Sequence, residues 1–207
     1  MNLVLYYFWT FVFGSILGVY LETVWCLIKN GHIESRRGLI YGPFNPLYGL
    51  ATLLLSFAIN STPIHTYGNI FLIGLVISST VEYLCSFWQE KTLGTISWDY
   101  KAFKFNLNGR INLLYSVIWG ILTILWYEKA MPLIDSLIPY FESHQRLTVL
   151  MFMFLLIDSI ISLIATIRRK QRHENKYTYT KLEQKIDSVY NDERMNKVYP
   201  NSVFTKK

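Results

Sequence analysis

Three carboxylates, Glu22, Glu82 and Asp158, lie inside long apolar stretches of this 207-residue chain, while all 20 of its Lys and Arg residues lie outside them. A carboxylate among hydrocarbon side chains can hold a cation, carry a proton or accept hydrogen bonds. A charge at bilayer depth is costly, so such groups usually face a protein interior or a wet cavity and mark function. No nucleophile–base pair or metal-ligand set accompanies them. The four His residues are scattered, and Cys26 and Cys85 look like free thiols rather than a disulfide or metal framework. The reading leans away from an enzyme and calls for no metal or cofactor.

The elements that must carry these carboxylates follow from segment length. A helix needs about 20 mainly apolar residues to cross roughly 30 Å of hydrocarbon. Leu3–Ile28, Ile70–Trp88 and Leu147–Ile167 meet that requirement, and Leu39–Ile59 and Ile111–Trp126 are interrupted or short but flanked like spans. The expected fold is all-α: a polytopic membrane bundle of five transmembrane helices over 1–167 (about 3–28, 39–59, 70–88, 111–126 and 147–167), then a basic tail over 168–207. A four-span alternative makes Leu39–Ile59 or Ile111–Trp126 re-entrant. The N-terminus shows no basic region or small-residue cleavage signal, so the first span reads as uncleaved.

Basic residues after successive spans number three, none, four, two and eleven. Cytoplasmic loops carry the excess of Lys and Arg, so the N-terminus is expected outside and the C-terminus in the cytoplasm of a cell membrane. The net charge of +6 resides in the tail, with its eleven basic and five acidic residues. That charge anchors the tail and attracts anionic lipid. It carries no nucleic-acid motif, and no nucleic-acid partner is expected.

Self-comparison gives a second result. Gly14, Gly18, Glu22 and Cys26 are four apart, as are Gly74, Ser78, Glu82 and Ser86, offset by 60. Spacing of four keeps residues on one helix face. Downstream, Gly42-Pro-Phe-Asn45-Pro-Leu-Tyr48-Gly49 aligns with Gly109-Arg-Ile-Asn112-Leu-Leu-Tyr115-Ser116, offset by 67. A parallel duplication of a two-helix hairpin accounts for both matches. Small-residue stripes are also ordinary packing surfaces in membranes. Pro43 and Pro46 interrupt the second span, because proline lacks an amide donor and disfavours helix before it. The unwound backbone leaves carbonyls to satisfy, with Asn45, Tyr48, Asn112 and Tyr115 available. Arg36, Arg37 and Arg110 sit where they could reach Glu22 and Glu82, each about 10 Å inside the cytoplasmic boundary, and Asp158 is about 15 Å deep. Trp98, Asp99 and the aromatic-rich loop around them suit the headgroup region. Leu133, Ile134, Leu137, Ile138 and Phe141 form one face of an expected outer-surface helix. Leu182, Ile186 and Val189 recur at helical spacing in the tail.

The string Arg37-Gly-Leu-Ile-Tyr-Gly-Pro-Phe-Asn-Pro-Leu-Tyr-Gly49, with Leu21-Glu22, Trp98-Asp-Tyr100, Phe105-Asn-Leu-Asn-Gly-Arg110 and Trp119-Gly120, resembles the putative ABC-transporter type IV membrane-protein family. The resemblance runs from about Phe11 to Trp126. It implies a permease or transport component. No Gly-x-x-x-x-Gly-Lys-Ser/Thr phosphate loop occurs in this sequence, so an ATPase is expected as a separate subunit. Five spans are few for a complete transporter, and a homo-oligomer is expected. A common family form has Cys where this chain has Asn45, so thiol chemistry is not expected there. The candidate substrate or ion site is Glu22, Glu82, Asp158, Asn45, Tyr48, Asn112, Tyr115, Arg37, Arg110, Trp98 and Asp99. Two alternatives stay open: a membrane scaffold or regulatory protein working through its tail, and an intramembrane enzyme acting on lipid.

Overall fold

Asn2 begins the first helix by accepting hydrogen bonds from the amides of Val4 and Leu5 with its side chain, satisfying donors that the helix itself leaves free. The resulting α1 (Leu3–Asn30) ends at Gly31, whose φ of 75° is the left-handed conformation that glycine adopts without penalty. The same device closes α3 (Tyr67–Leu93) at Gly94, with φ 67°. The computed structural model describes residues 2–176 and 180–205. Its remaining helices are α2 (Pro46–Ser61), α4 (Leu113–Leu125), α5 (Met131–Ser143), α6 (Gln145–His173), α7 (Lys181–Val189) and α8 (Asp192–Val198). Four two-residue strands complete it: β1 (Thr95–Ile96), β2 (Asn106–Leu107), β3 (Ile111–Asn112) and β4 (Val203–Phe204).

Two apolar segments fold differently from their expected bounds. The helix of the second starts only at Pro46, and 39–45 is unwound. Pro46 lacks the amide that a helix start leaves unpaired, and Asn45 caps the first turn by accepting from Leu47. The fourth does not stop at Trp126. A π-helical turn over Trp126–Ala130 carries α4 into α5, with the Met131 amide bonded to the Trp126 carbonyl. Pro132 stands at the start of α5 and has no amide to give, so the wider turn is where the hydrogen-bond ladder re-forms around it. Among the described residues four helices are thus long and apolar enough to cross a membrane: Leu3–Asn30, Tyr67–Leu93, Leu113–Ser143 and Gln145–His173. At 16 residues, α2 is about 24 Å long, short of a full crossing.

Small residues set the packing. A Cβ on Gly14 would overlap Thr52, and one on Gly18 would overlap the Tyr48 ring, so α1 and α2 lie backbone to backbone. Gly74 meets Thr123 and Gly120 in the same way between α3 and α4. The two hairpins repeat one plan, a long helix followed by an irregular loop and an Asn-capped partner, with Asn112 accepting from Leu114 and Tyr115 as Asn45 does from Leu47. Their registers differ by one turn: the sequence offsets would set Gly74 opposite Trp119, and it faces Thr123 instead.

The main core lies at the N-terminal end of α1, where Tyr6, Trp9 and Val12 meet Ile59, Ile70, Trp126 and the buried face of α5. Ile134, Ile138 and Phe141 are buried on that face, and Trp9 stacks on Phe141 with centroids 3.6 Å apart. Leu133, expected on the same face, is exposed. Helix α6 leaves Val149, Leu150, Phe152, Ile157 and Ile160 exposed, a surface suited to lipid rather than water.

The tail folds back on the bundle. Strand β4 pairs antiparallel with β1. Arg168 bridges to Asp187 at 2.6 Å and Glu183 at 3.0 Å, and Arg172 to Asp187 at 2.5 Å and Asp192 at 2.6 Å. The predicted Leu182/Ile186/Val189 helix forms, but its stripe does not dock: Leu182 and Val189 are exposed, and α7 is held by its acidic face. Met195 and Val198 of α8 make the apolar contact instead, against Ile40 and Ala165.

Candidate functional site

The unwound segment 38–45 is drawn into the bundle and closed on itself, with the amides of Gly38 and Leu39 bonding the Phe44 carbonyl. The Asn45 amide reaches the carbonyl of Ser15, in the middle of α1. Three further amides converge on Asp158 and its neighbour Ser162, whose hydroxyl also accepts from Ile40 at 2.9 Å. Asp158, 1% exposed, accepts from the amides of Ile40 (3.2 Å), Tyr41 (3.1 and 3.2 Å) and Gly42 (2.9 Å) and from the Ser162 hydroxyl (3.1 Å). This carboxylate is consumed in holding backbone. Amides, as well as the carbonyls expected from the prolines, are groups that need a distant partner. The carbonyls are met nearby or by the tail: Arg37 donates to Ile40, Asn45 to Arg36, and the Tyr199 hydroxyl to Gly38. Burial pushes the Tyr199 phenol up to about 12, so it stays a donor.

Glu82 is built differently. It is 5% exposed and accepts from the Tyr100 hydroxyl at 2.9 Å and the Trp119 indole at 3.0 Å. Tyr100 is delivered by the loop after α3 and stacks on Tyr115 at 4.9 Å. Burial first, and then the neighbouring carboxylate, push its phenol far above the ordinary value, so it too remains protonated. From the other hairpin, Tyr48 sets its phenol beside Glu22 and within electrostatic reach of Glu82, and packs 5.9 Å from Trp119. Tyr48 thus stands beside Glu22 and near Glu82 at the seam between the hairpins, without bonding the latter. A chamber of about 260 Å³ occupies that seam, lined by Glu82, Tyr48, Trp119 and mostly apolar side chains of α1, α2 and α4.

The other predicted residues fall around this centre. Arg37 bonds Ser35 and the Ile40 carbonyl, and reaches neither glutamate. Arg110 pairs with Glu90, bonds Ser86 and lies over the Phe87 ring at 5.4 Å. Arg36, close to Glu22, bonds Glu34 at 3.0 Å and the Cys26 sulfur at 3.1 Å. Trp98 donates to the Arg110 carbonyl and Asp99 accepts from the Lys101 amide, so both shape the loop that presents Tyr100. Asn45 and Asn112 are helix caps. Tyr100 and Trp119 were missed as individual site residues, although both stand within the family-like strings. Among the described residues no group of three His, Cys, Asp or Glu could hold a metal ion.

This arrangement can take a positive charge or a proton at an acidic, aromatic-lined position reached through an apolar chamber. It offers no activated nucleophile. A family model described as putative ABC-transporter type IV matches residues 9–163. Neither a curated protein nor a solved structure matches the chain.

Proposed function

The chain belongs to the putative ABC-transporter type IV family, and from that premise we propose that it is the membrane-embedded component of an ABC-type transport system whose ATPase is a separate subunit. The apolar helices and the family together make it a multi-pass membrane protein. The observation that carries the finer reading is Glu82 lining a chamber between two like hairpins, with Tyr48 and its partner Glu22 close by. Intramembrane carboxylates that face such a space typically serve substrate or ion binding, and irregular segments beside paired helices point to the same place. In this reading α2 is the fifth crossing, completed by the loop 38–45. The N-terminus lies outside and the tail inside a cell membrane, and the chain works as a homo-oligomer with the ATPase docked on its tail side.

Two measurements test the proposal. Purification in mild detergent followed by mass spectrometry is expected to return an ATPase in stoichiometric amount. Glu22→Gln and Glu82→Gln are expected to abolish the transport or resistance phenotype at unchanged protein abundance. Intact phenotypes in both variants would end the reading.

A further inference from the structure

The chamber between the hairpins is shaped for one kind of molecule. Its walls are hydrocarbon, with Leu17 and Leu21 on α1 and Leu122 and Leu125 on α4. Leu17, Leu21 and Leu125 are also exposed on the outer surface, so the chamber opens sideways onto the apolar flank of the bundle. A ligand would enter from lipid. At about 260 Å³ it suits one alkyl chain with a compact head rather than a two-chain phospholipid.

The polar end selects the charge of that head. Glu82 lines the chamber, with Tyr48 and Trp119 as its aromatic neighbours. None of the described ion pairs involves Glu22 or Glu82, and the nearest base, Arg36, is engaged with Glu34. A buried carboxylate outside every described ion pair, with tyrosine and tryptophan rings lining the same end of an apolar chamber, forms the kind of surroundings that recognise an alkylammonium group. An anionic head is excluded by the same groups. Lys129 lines the chamber ten residues along the helix from Trp119, about 15 Å away. Its long stem can keep the ammonium outside while its methylenes border the chain end.

We propose that this chamber binds a lipophilic cation, with its ammonium head against Glu82 at the end lined by Tyr48 and Trp119 and its alkyl chain running along α4 toward Ala130. The proposal rests on the transport reading and names the substrate class for it.

The test uses the full chain purified in decyl maltoside, which supplies a neutral amphiphile with the same tail in excess. Binding of radiolabelled decyltrimethylammonium is measured by equilibrium dialysis against empty micelles. Wild type is expected to show saturable binding at one site per chain, not displaced by decyl sulfate. Glu82→Gln is expected to weaken it at least about tenfold, the equivalent of roughly 1.4 kcal/mol. Leu122→Trp, which fills the chamber without touching a charge, is expected to remove it, and melting profiles report whether each variant folds. If Glu82→Gln does not fold, Leu122→Trp and the decyl sulfate competition decide. Absence of saturable binding in folded wild type overturns the proposal, as does displacement by decyl sulfate or unchanged affinity in folded Glu82→Gln or Leu122→Trp. The transport reading fails only in the phenotype assay, so the two failures are read separately.

Discussion

Replacing Asp158 with Asn keeps the side chain's size and removes its charge and one acceptor. In the native arrangement one carboxylate oxygen serves Ile40 and Tyr41, and the other serves Tyr41 and Gly42 at 2.9 Å. An amide side chain can keep the first set, but its NH₂ then meets the Gly42 amide donor to donor. Losing one charge-assisted bond costs about 2 kcal/mol, and the weakening of those that remain adds about 1. The total of about 3 kcal/mol corresponds to an opening of the loop on the order of 100-fold more frequent. Hydrogen–deuterium exchange read by mass spectrometry over 38–45 measures this directly, with α1 peptides as an internal reference. The expected result is faster exchange at Ile40, Tyr41 and Gly42 by about two orders of magnitude, with α1 unchanged. Rates within threefold of wild type at those amides would refute the claim that Asp158 holds the loop.

Gly74→Ala places a methyl group against Thr123 and the Gly120 backbone; overpacking of this kind costs about 1–3 kcal/mol. Thermal unfolding in detergent should show the loss, and Thr123→Ala should restore part of it. Hydrogen bonding from Arg168 and then Arg172 holds the Asp187 carboxyl below the ordinary carboxylate range. Its contribution to tail docking is therefore present above the ordinary carboxylate pKa and lost as pH falls through the lowered one. Limited proteolysis of 181–189 should accelerate only in that acidic window, and Asp187→Asn should show the fast rate at neutral pH. Truncation after Arg172 removes β4 from β1 and Tyr199 from Gly38. Exchange should rise at Thr95–Ile96 and at the 38–45 loop while the glutamate-dependent phenotype survives, and loss of that phenotype with normal folding would favour a scaffold working through its tail.

How far the sequence could be read depends on the range of each interaction. Helix starts and stops are local, so the first, third and last apolar spans were legible to within several residues, whereas Asn45 and Asn112 read as partners for freed carbonyls and turn out to be helix caps. The prolines announced an unwound 39–45 but not its partner, because Asp158 lies 116 residues beyond Gly42 and no pattern links a carboxylate to backbone amides at that distance. Trp126 looked like an end because Tyr127-Glu128-Lys129 is polar, and a π turn has no compositional mark. Glu22 and Glu82 stood out by being charged in apolar sequence. Their actual companions, Tyr48, Tyr100 and Trp119, are aromatic residues in an aromatic-rich chain, and only the folded geometry separates them from their neighbours. Of the three arginines expected near the glutamates, Arg36 stands close to Glu22, while Arg37 turns to the Ile40 carbonyl and Arg110 to Glu90.

The grip of Asp158 on the loop also sets an order of events for making the protein. The first hairpin leaves the ribosome with the amides of Ile40, Tyr41 and Gly42 in need of an acceptor that is synthesised more than a hundred residues later. The Gly38 carbonyl waits longer still, for Tyr199. Until α6 arrives, that segment cannot be left in hydrocarbon without the cost of bare donors. It must stay at the aqueous surface or be sheltered by the insertion machinery. Arrival of the last long helix is then the step that lets the loop settle inward, so a nascent chain cut short before Asp158 carries an exposed loop that cellular proteolysis can recognise as unfinished.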